Sequence, residues 1–286
     1  MKNLLIILSL SFFLYSCDQA PKNVLPELNQ FGSLCDLSYG TDERHILDIS
    51  LPANRSESTA VILLIHGGAW VGGDKREMTV IRESLARKTG MAVASMNYRF
   101  VGPDDIGYKD LMADVDLALD FIDSQASEWT IGTGNFGIAG GSAGGHISLL
   151  YAYSYDLEGR VKAVSSLAGP TDLSDDLFIE YASNYQLDYA LSELIDADYE
   201  QNQALLEAAS PLFGLRNLPT QLQHGEDDDL VPLQQIESLA TALDELGYPN
   251  ELIIYPNIGH DISGLLGSNV NKVVNNMTDW FKTHLE

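Results

Sequence analysis

The 286-residue sequence predicts an α/β fold: a mostly parallel central sheet with helices on both faces and a helical cap insertion. Two observations carry the sheet. Short β-branched or apolar runs alternate with longer segments of helical period. Several of these runs are apolar almost without a break, as in Ala60-Val61-Ile62-Leu63-Leu64-Ile65. A strand buried on both faces reads this way, whereas a strand with one wet face alternates. The cap rests on a third observation, a stretch that interrupts the alternation.

The expected strands are residues 45–51, 60–65, 91–96, 134–139, 161–167, 220–224 and 251–255. The expected helices are 76–89, 107–125, 143–155, 233–246 and 268–284, each between strands or closing the chain. Right-handed crossovers then bring the C-terminal ends of the parallel strands to one edge, where open α/β sheets carry their sites. Residues 171–210 break the pattern: they are acidic, rich in tyrosine and helical in period, with no strand among them. They read either as a cap over that edge or as plain surface helices.

The length suits one domain, residues 37–286, and 45% apolar with 20% charged residues suits a chain folded throughout. Acidic residues outnumber basic ones 41 to 16, so the summed field repels phosphate backbones and nucleic acid is not an expected partner. With two cysteines, Cys17 and Cys35, there is no disulfide framework, and stability must come from packing.

Residues 1–16 carry Lys2 and the apolar run Leu4 to Leu14, too short to span a bilayer and patterned as an export signal. The stretch Leu14-Tyr15-Ser16-Cys17 resembles a bacterial lipobox, which makes Cys17 an expected lipidation site and the membrane an expected partner through that anchor. The alternative is simple secretion, periplasmic or beyond the cell. The following residues, to about 36, are polar and broken by Pro21 and Pro26, and read as a tether.

Gly140-Gly141-Ser142-Ala143-Gly144 matches G-x-S-x-G between an apolar strand and an apolar helix. A strand that turns sharply into a helix leaves no room for Cβ atoms beside the serine, so the small residues are required. Ser142 is thereby presented as a nucleophile at the sheet edge. Upstream, His66-Gly67-Gly68-Ala69-Trp70 follows the apolar strand. Its flexible backbone can turn the Gly68 and Ala69 amides into a cavity, where with the Ala143 amide they can hold a tetrahedral oxyanion. His66 heads this loop and is expected to bond backbone and hold the loop's shape.

A hydroxyl needs a base, and the base an orienting acid. The strand Gln221 to His224 runs into Gly225-Glu226-Asp227-Asp228-Asp229-Leu230-Val231-Pro232, and the strand Glu251 to Tyr255 into Pro256-Asn257-Ile258-Gly259-His260. Both loops fall at the edge that carries Ser142. His260 is the expected base; His45, His146 and His284 are less well placed. The residues alone leave the acid open among Asp227, Asp228 and Asp229.

Together these segments resemble the α/β-hydrolase superfamily. More narrowly, they resemble the bacterial esterases grouped with hormone-sensitive lipase and with the bifunctional feruloyl and acetyl xylan esterases. The matching pieces include Leu47 to Pro52, His66 to Trp70 with Gly73-Asp74-Lys75, Asn97-Tyr98-Arg99, Gly141 to His146, Gly169 to Leu173 and Ser210-Pro211. With the two loops above they cover residues 45 to 262. The resemblance implies a Ser142, Asp228, His260 triad, the acid placed by the pattern His-Gly-x-x-Asp-x-x-Val-Pro. It also implies an oxyanion hole of Gly68, Ala69 and Ala143, with no metal or organic cofactor. Ala69 replaces the third glycine common in the lipase branch, and Gly141 the aspartate found there before the serine. Both departures place the chain nearer the sugar-ester esterases. The expected substrate is a small ester or an acylated saccharide; amide cleavage on the same fold and a catalytically silent glycan or lipid binder are the alternatives.

Overall fold

The computed structural model describes residues 24–102, 105–262 and 269–286. The expected export signal and Cys17 lie outside these residues. Among the described residues, eight strands form one sheet: β1 (Gly32–Ser38), β2 (Ile46–Leu51), β3 (Val61–Ile65), β4 (Ala92–Met96), β5 (Phe136–Gly141), β6 (Val161–Leu167), β7 (Thr220–Gly225) and β8 (Asn250–Tyr255). Their order is β1-β2-β4-β3-β5-β6-β7-β8. β2 pairs antiparallel with both β1 and β4, and the run from β4 through β3 to β8 is parallel throughout.

The helices are α1 (Thr79–Thr89), α2 (Tyr108–Trp129), α3 (Ala143–Leu150), α4 (Asp176–Asn184), α5 (Asp188–Ile195), α6 (Gln203–Ala208), α7 (Gln234–Glu245) and α8 (Val270–Leu285). β3 shows why its sequence is unbroken hydrophobic. Val61, Leu63 and Ile65 point into the core shared with α2, α3 and α7, while Ile62 and Leu64 point into the opposite core shared with α1 and α8. Both sets are at most 1% exposed. The cap helices join the larger core through Phe178, Leu191, Leu194 and Leu206.

The structure corrects the expected elements in three places. Residues 32–36, expected to belong to a tether, lie instead in β1, which begins at Gly32 and pairs with β2. The strand expected at 134–139 is 136–141, so Gly140 and Gly141 belong to β5 and the chain reverses within Ser142 alone. The single helix expected over 143–155 is α3 followed by a π-helical turn, Tyr151–Tyr155, whose Tyr151 hydroxyl donates to Asp116. No helix of the described residues is long and apolar enough to cross a membrane.

Several sequence pieces that carry the resemblance act as scaffold. Asp48 on β2 accepts from Lys75 Nζ at 2.5 Å and Arg82 Nη1 at 3.0 Å, all three buried. A buried ion cluster depends on its hydrogen bonds, and Ser50 and Ser95 add two to Arg82, at Nε and Nη1, while Arg82 Nη2 has no partner. Arg99 grips Asp114, which also receives His45 Nε2 at 3.0 Å.

Candidate active site

Ser142 stands between β5 and α3 with φ 53 and ψ −122, outside the regions a side-chain-bearing residue normally adopts. Such a conformation costs about 1–3 kcal/mol and persists only where its surroundings fix it. They do so here through backbone. Ser142 N–H donates to Leu167 O at 2.7 Å, and Ser142 O accepts from His146 N–H at 3.1 Å. Gly144 lies so close to β3 that a Cβ there would sit 2.2 Å from Ile65 O. The G-x-S-x-G pattern is therefore a packing requirement between the nucleophile turn and the end of β3.

The loop expected to hold the oxyanion leaves β3 at His66. Ala69 and Trp70 have φ 50 and 63, again left-handed positions for residues with side chains. His66 fixes the loop as expected: Nδ1–H donates to Gly67 O at 2.6 Å, and Nε2 accepts from Arg44 Nη2 at 3.3 Å. Burial lowers its pKa to about 4, so the ring is neutral at pH 7. Its ring stacks on Tyr98, whose hydroxyl donates to His66 O at 3.2 Å. The Trp70 indole N–H donates to His146 Nδ1 at 3.1 Å, and His146 Nε2–H donates to Ala209 O at 2.7 Å. One neutral imidazole thus ties the oxyanion loop, α3 and the end of the cap segment. Burial holds its pKa at about 4.

His260 Nε2 lies 2.8 Å from Ser142 Oγ, and His260 Nδ1 lies 2.8 Å from Asp228 Oδ2. Of the three neighbouring aspartates only Asp228 is buried; Asp227 and Asp229 are exposed. Asp228 Oδ1 accepts the Leu230 and Val231 amides at 3.0 and 2.9 Å. Burial alone would raise the pKa of this carboxyl. Hydrogen bonds from His224, His260 and the Val231 amide outweigh it and hold the group well below the usual carboxylate range. The acid and base loops are built against each other: Asp227 N–H donates to Ile258 O at 2.9 Å, and a Cβ on Gly225 would sit 2.3 Å from Ile258 O and Gly259 O.

Two cavities meet at Ser142 and His260. The larger, about 370 Å³, is lined by Gly68, Ala69, Trp70, Ala143, Leu230 and Val231 and by Phe178, Tyr185 and Leu187 of the cap segment. The smaller, about 180 Å³, lies on the other side, between Gly67, Glu77, Met78, Ile81, Leu167, Asp261 and Ile262. The structure therefore brings together Ser142, His260, Asp228 and the three residues expected to form the oxyanion hole. Residues 171–210 act as a wall of the larger cavity. Their base is anchored by Gln235 of α7, which bonds Thr171, Asp172 and Asp175, and by Ser210 Oγ, which accepts the Leu173 amide at 2.8 Å.

Sequence reasoning missed the cap side chains that reach the cavity, since no spacing rule marks which residues of a helical insertion face inward. It also missed His224 as a neighbour of Asp228, although its place four residues before the acid was visible. Among the described residues, no group of three or more His, Cys, Asp or Glu is arranged to hold a metal ion.

Comparison with known proteins agrees with this architecture. The isoprenylcysteine alpha-carbonyl methylesterase of Arabidopsis thaliana is 25% identical over 239 residues, covering 78% of this chain and 55% of that protein. The chain spans about half the length of the curated relatives it matches. Among solved structures, a bifunctional GH43-CE protein of Bacteroides eggerthii superimposes with TM-score 0.75 at 26% identity, over 88% of this chain and 38% of that one. A truncated carbohydrate esterase from gut microbiota does so with TM-score 0.72 at 21% identity, over 90% of this chain and 99% of that one. The BD-FAE family model matches residues 47–243. With its mostly parallel eight-stranded sheet and its strand-to-helix serine, the chain has the α/β-hydrolase fold and belongs to the BD-FAE family.

Proposed function

We propose that the chain is a serine carboxylic ester hydrolase working through an acyl-enzyme. The observation that carries this reading is the unbroken hydrogen-bonded chain from Ser142 Oγ through His260 to Asp228, set at the junction of two cavities. His260 Nε2 removes the Ser142 proton as Oγ attacks the ester carbonyl carbon. The carbonyl oxygen, now an anion, is held by the amides of Gly68, Ala69 and Ala143. The first-turn N–H of Ala143 has no carbonyl partner within α3, which leaves it available for this. The tetrahedral carbon then expels the alcohol, which takes the proton from His260. Water enters, gives its proton to His260, attacks the acyl carbon and releases the carboxylic acid with Ser142 restored. Asp228 holds the His260 tautomer that places the lone pair toward Ser142.

As substrates we propose small esters of carbohydrates, acetyl or feruloyl. The matched family, the carbohydrate-esterase structural neighbours and a larger cavity walled by Trp70, Phe178 and Tyr185 support this class. Ser142→Ala is expected to lower turnover of p-nitrophenyl acetate and of acetylated and feruloylated oligosaccharides by about a thousandfold or more. Unchanged turnover in a clean preparation would end the proposal. Labelling by a fluorophosphonate probe separates an activated serine from a silent binding fold. We also propose an exported protein anchored through an acylated Cys17. Cys17→Ser should move the activity from the membrane fraction to the soluble one, and unchanged partitioning would exclude the anchor.

A further inference from the structure

Asp228 is approached by a second imidazole. His224 is the fifth residue of β7, fully buried, and its Nε2 lies 2.9 Å from Val231 O and 3.2 Å from Asp228 Oδ2. Both neighbours are acceptors, so Nε2 carries a proton. Nδ1 is buried with no hydrogen-bond partner. A protonated ring would place a second N–H in that unpartnered position, whereas a neutral ring leaves only a lone pair there, so the geometry selects the neutral tautomer. Asp228 Oδ2 is thus shared between His260 Nδ1 and His224 Nε2, while Oδ1 is occupied by the Leu230 and Val231 amides.

We propose that His224 is a positioning residue of the acid: it fixes the loop through Val231 O and, by drawing on Asp228 Oδ2, weakens the hold of Asp228 on the His260 proton. A carboxylate with one donor fewer is a stronger acceptor, and it would hold the His260 proton more tightly. A protonated His260 cannot take the serine proton. His224 therefore extends activity toward lower pH without touching substrate. The other titratable groups around His260 are Asp261 in its own loop, Glu226 bonded to the Asn257 amide of that loop, Glu77 across the smaller cavity, Tyr185 across the larger, and Asp227 and Asp229 beside Asp228. His224 differs from all of these in bonding the acid itself. This inference rests on the proposed triad.

The test is the pH dependence of kcat/KM for p-nitrophenyl acetate hydrolysis. His224→Leu removes the donor, and its acid limb should move up by about half a pH unit to one unit. His224→Gln sets an amide nitrogen near the position of Nε2 and should keep the limb close to that of the parent. An acid limb unmoved in folded His224→Leu overturns the proposal and leaves His224 a structural residue. Should His224→Leu fail to fold, ¹⁵N-histidine NMR of the unmutated protein decides. The proposal requires a His224 ring that carries its proton at Nε2; a ring protonated at Nδ1 overturns it. Fluorophosphonate labelling of Ser142 in the unmutated protein keeps the two ideas apart: failure to label removes the triad itself, and labelling with an unmoved limb removes only the role of His224.

Discussion

The site has two walls built on different principles. The strand-end wall, comprising the Ser142 turn, the oxyanion loop and the acid and base loops, is packed backbone on backbone. Gly144 lies against the carbonyls of Ile65 and His66, and Gly225 against those of Ile258 and Gly259. The cap wall is made of side chains: Phe178, Tyr185 and Leu187 reach the cavity from a segment whose base alone is pinned by buried polar bonds. Backbone contacts have no rotamers with which to relax, whereas side-chain contacts do. The first wall should tolerate almost nothing, and the second should tune what enters.

The largest contrast is expected within the acid loop. Asp228→Asn keeps the shape but removes the charge and the tautomer control, and kcat should fall by about ten-thousandfold, the size seen for the same change in a serine protease triad. Asp227→Asn and Asp229→Asn, at exposed positions on either side, should change kcat less than about threefold. Steady-state kinetics of the three variants checks this, and a comparable loss in either neighbour would reassign the acid. Next in size is Gly144→Ala. Its Cβ would stand 2.2 Å from Ile65 O and 2.5 Å from His66 O, so β3 or α3 must shift. A loss of about 3 kcal/mol in unfolding free energy is expected, measured by urea titration. Tyr189→Ala in the cap, at 62% exposure, should cost less than about 0.5 kcal/mol. Equal losses would erase the distinction between the walls.

A smaller effect ties the strand-end wall to pH. His66 and His146 are both buried neutral, with pKa lowered to about 4 from 6.5. Between those values the unfolded chain binds more protons than the folded one, so stability falls as pH falls from 6.5 toward 4. Each ring should remove about 2 kcal/mol by pH 5. Asp228, whose pKa is likewise lowered, should contribute its loss only below about pH 4, the range where an unfolded aspartate protonates. Thermal melts from pH 7 to 4 should show the decline beginning near 6.5, and a midpoint flat to pH 4.5 would contradict the burial of the two rings as neutral groups.

The same contrast explains what the sequence could show. Backbone crowding demands glycine, and glycine at fixed offsets from serine or histidine is visible in a linear string. Hence Ser142, His260 and the loop at His66 are legible in the sequence. Asp228 was not separable from its neighbours by residue type, because burial and not chemistry distinguishes the three. β1 escaped for another reason. Its register slips between Leu34 and Leu37, and Asp36 within it takes φ 54, so an alternating pattern never develops on this edge strand. In the cap, the helical period was legible but the inward face was not, since acidic residues and tyrosines occur on all sides.

The finest test of the comparison is Tyr185. It terminates α4, is 45% exposed and lines the larger cavity, and the Asp229 carboxylate, the exposed neighbour of the acid, raises the pKa of its hydroxyl to about 12. Tyr185 thus brings the cap close to the acid loop. Tyr185→Phe keeps the ring that walls the cavity and removes only the hydroxyl. A polar contact at this exposure contributes on the order of 0.5 kcal/mol, so a twofold to threefold rise in KM with kcat unchanged is expected if it holds the cap over bound substrate. Tyr185→Ala removes the ring as well, and should raise KM further for bulky aromatic esters than for acetyl esters. If instead Tyr185→Phe lowers kcat as much as it raises KM, the hydroxyl acts on the acid loop, and the cap belongs to the catalytic wall and not to the wall that selects substrate.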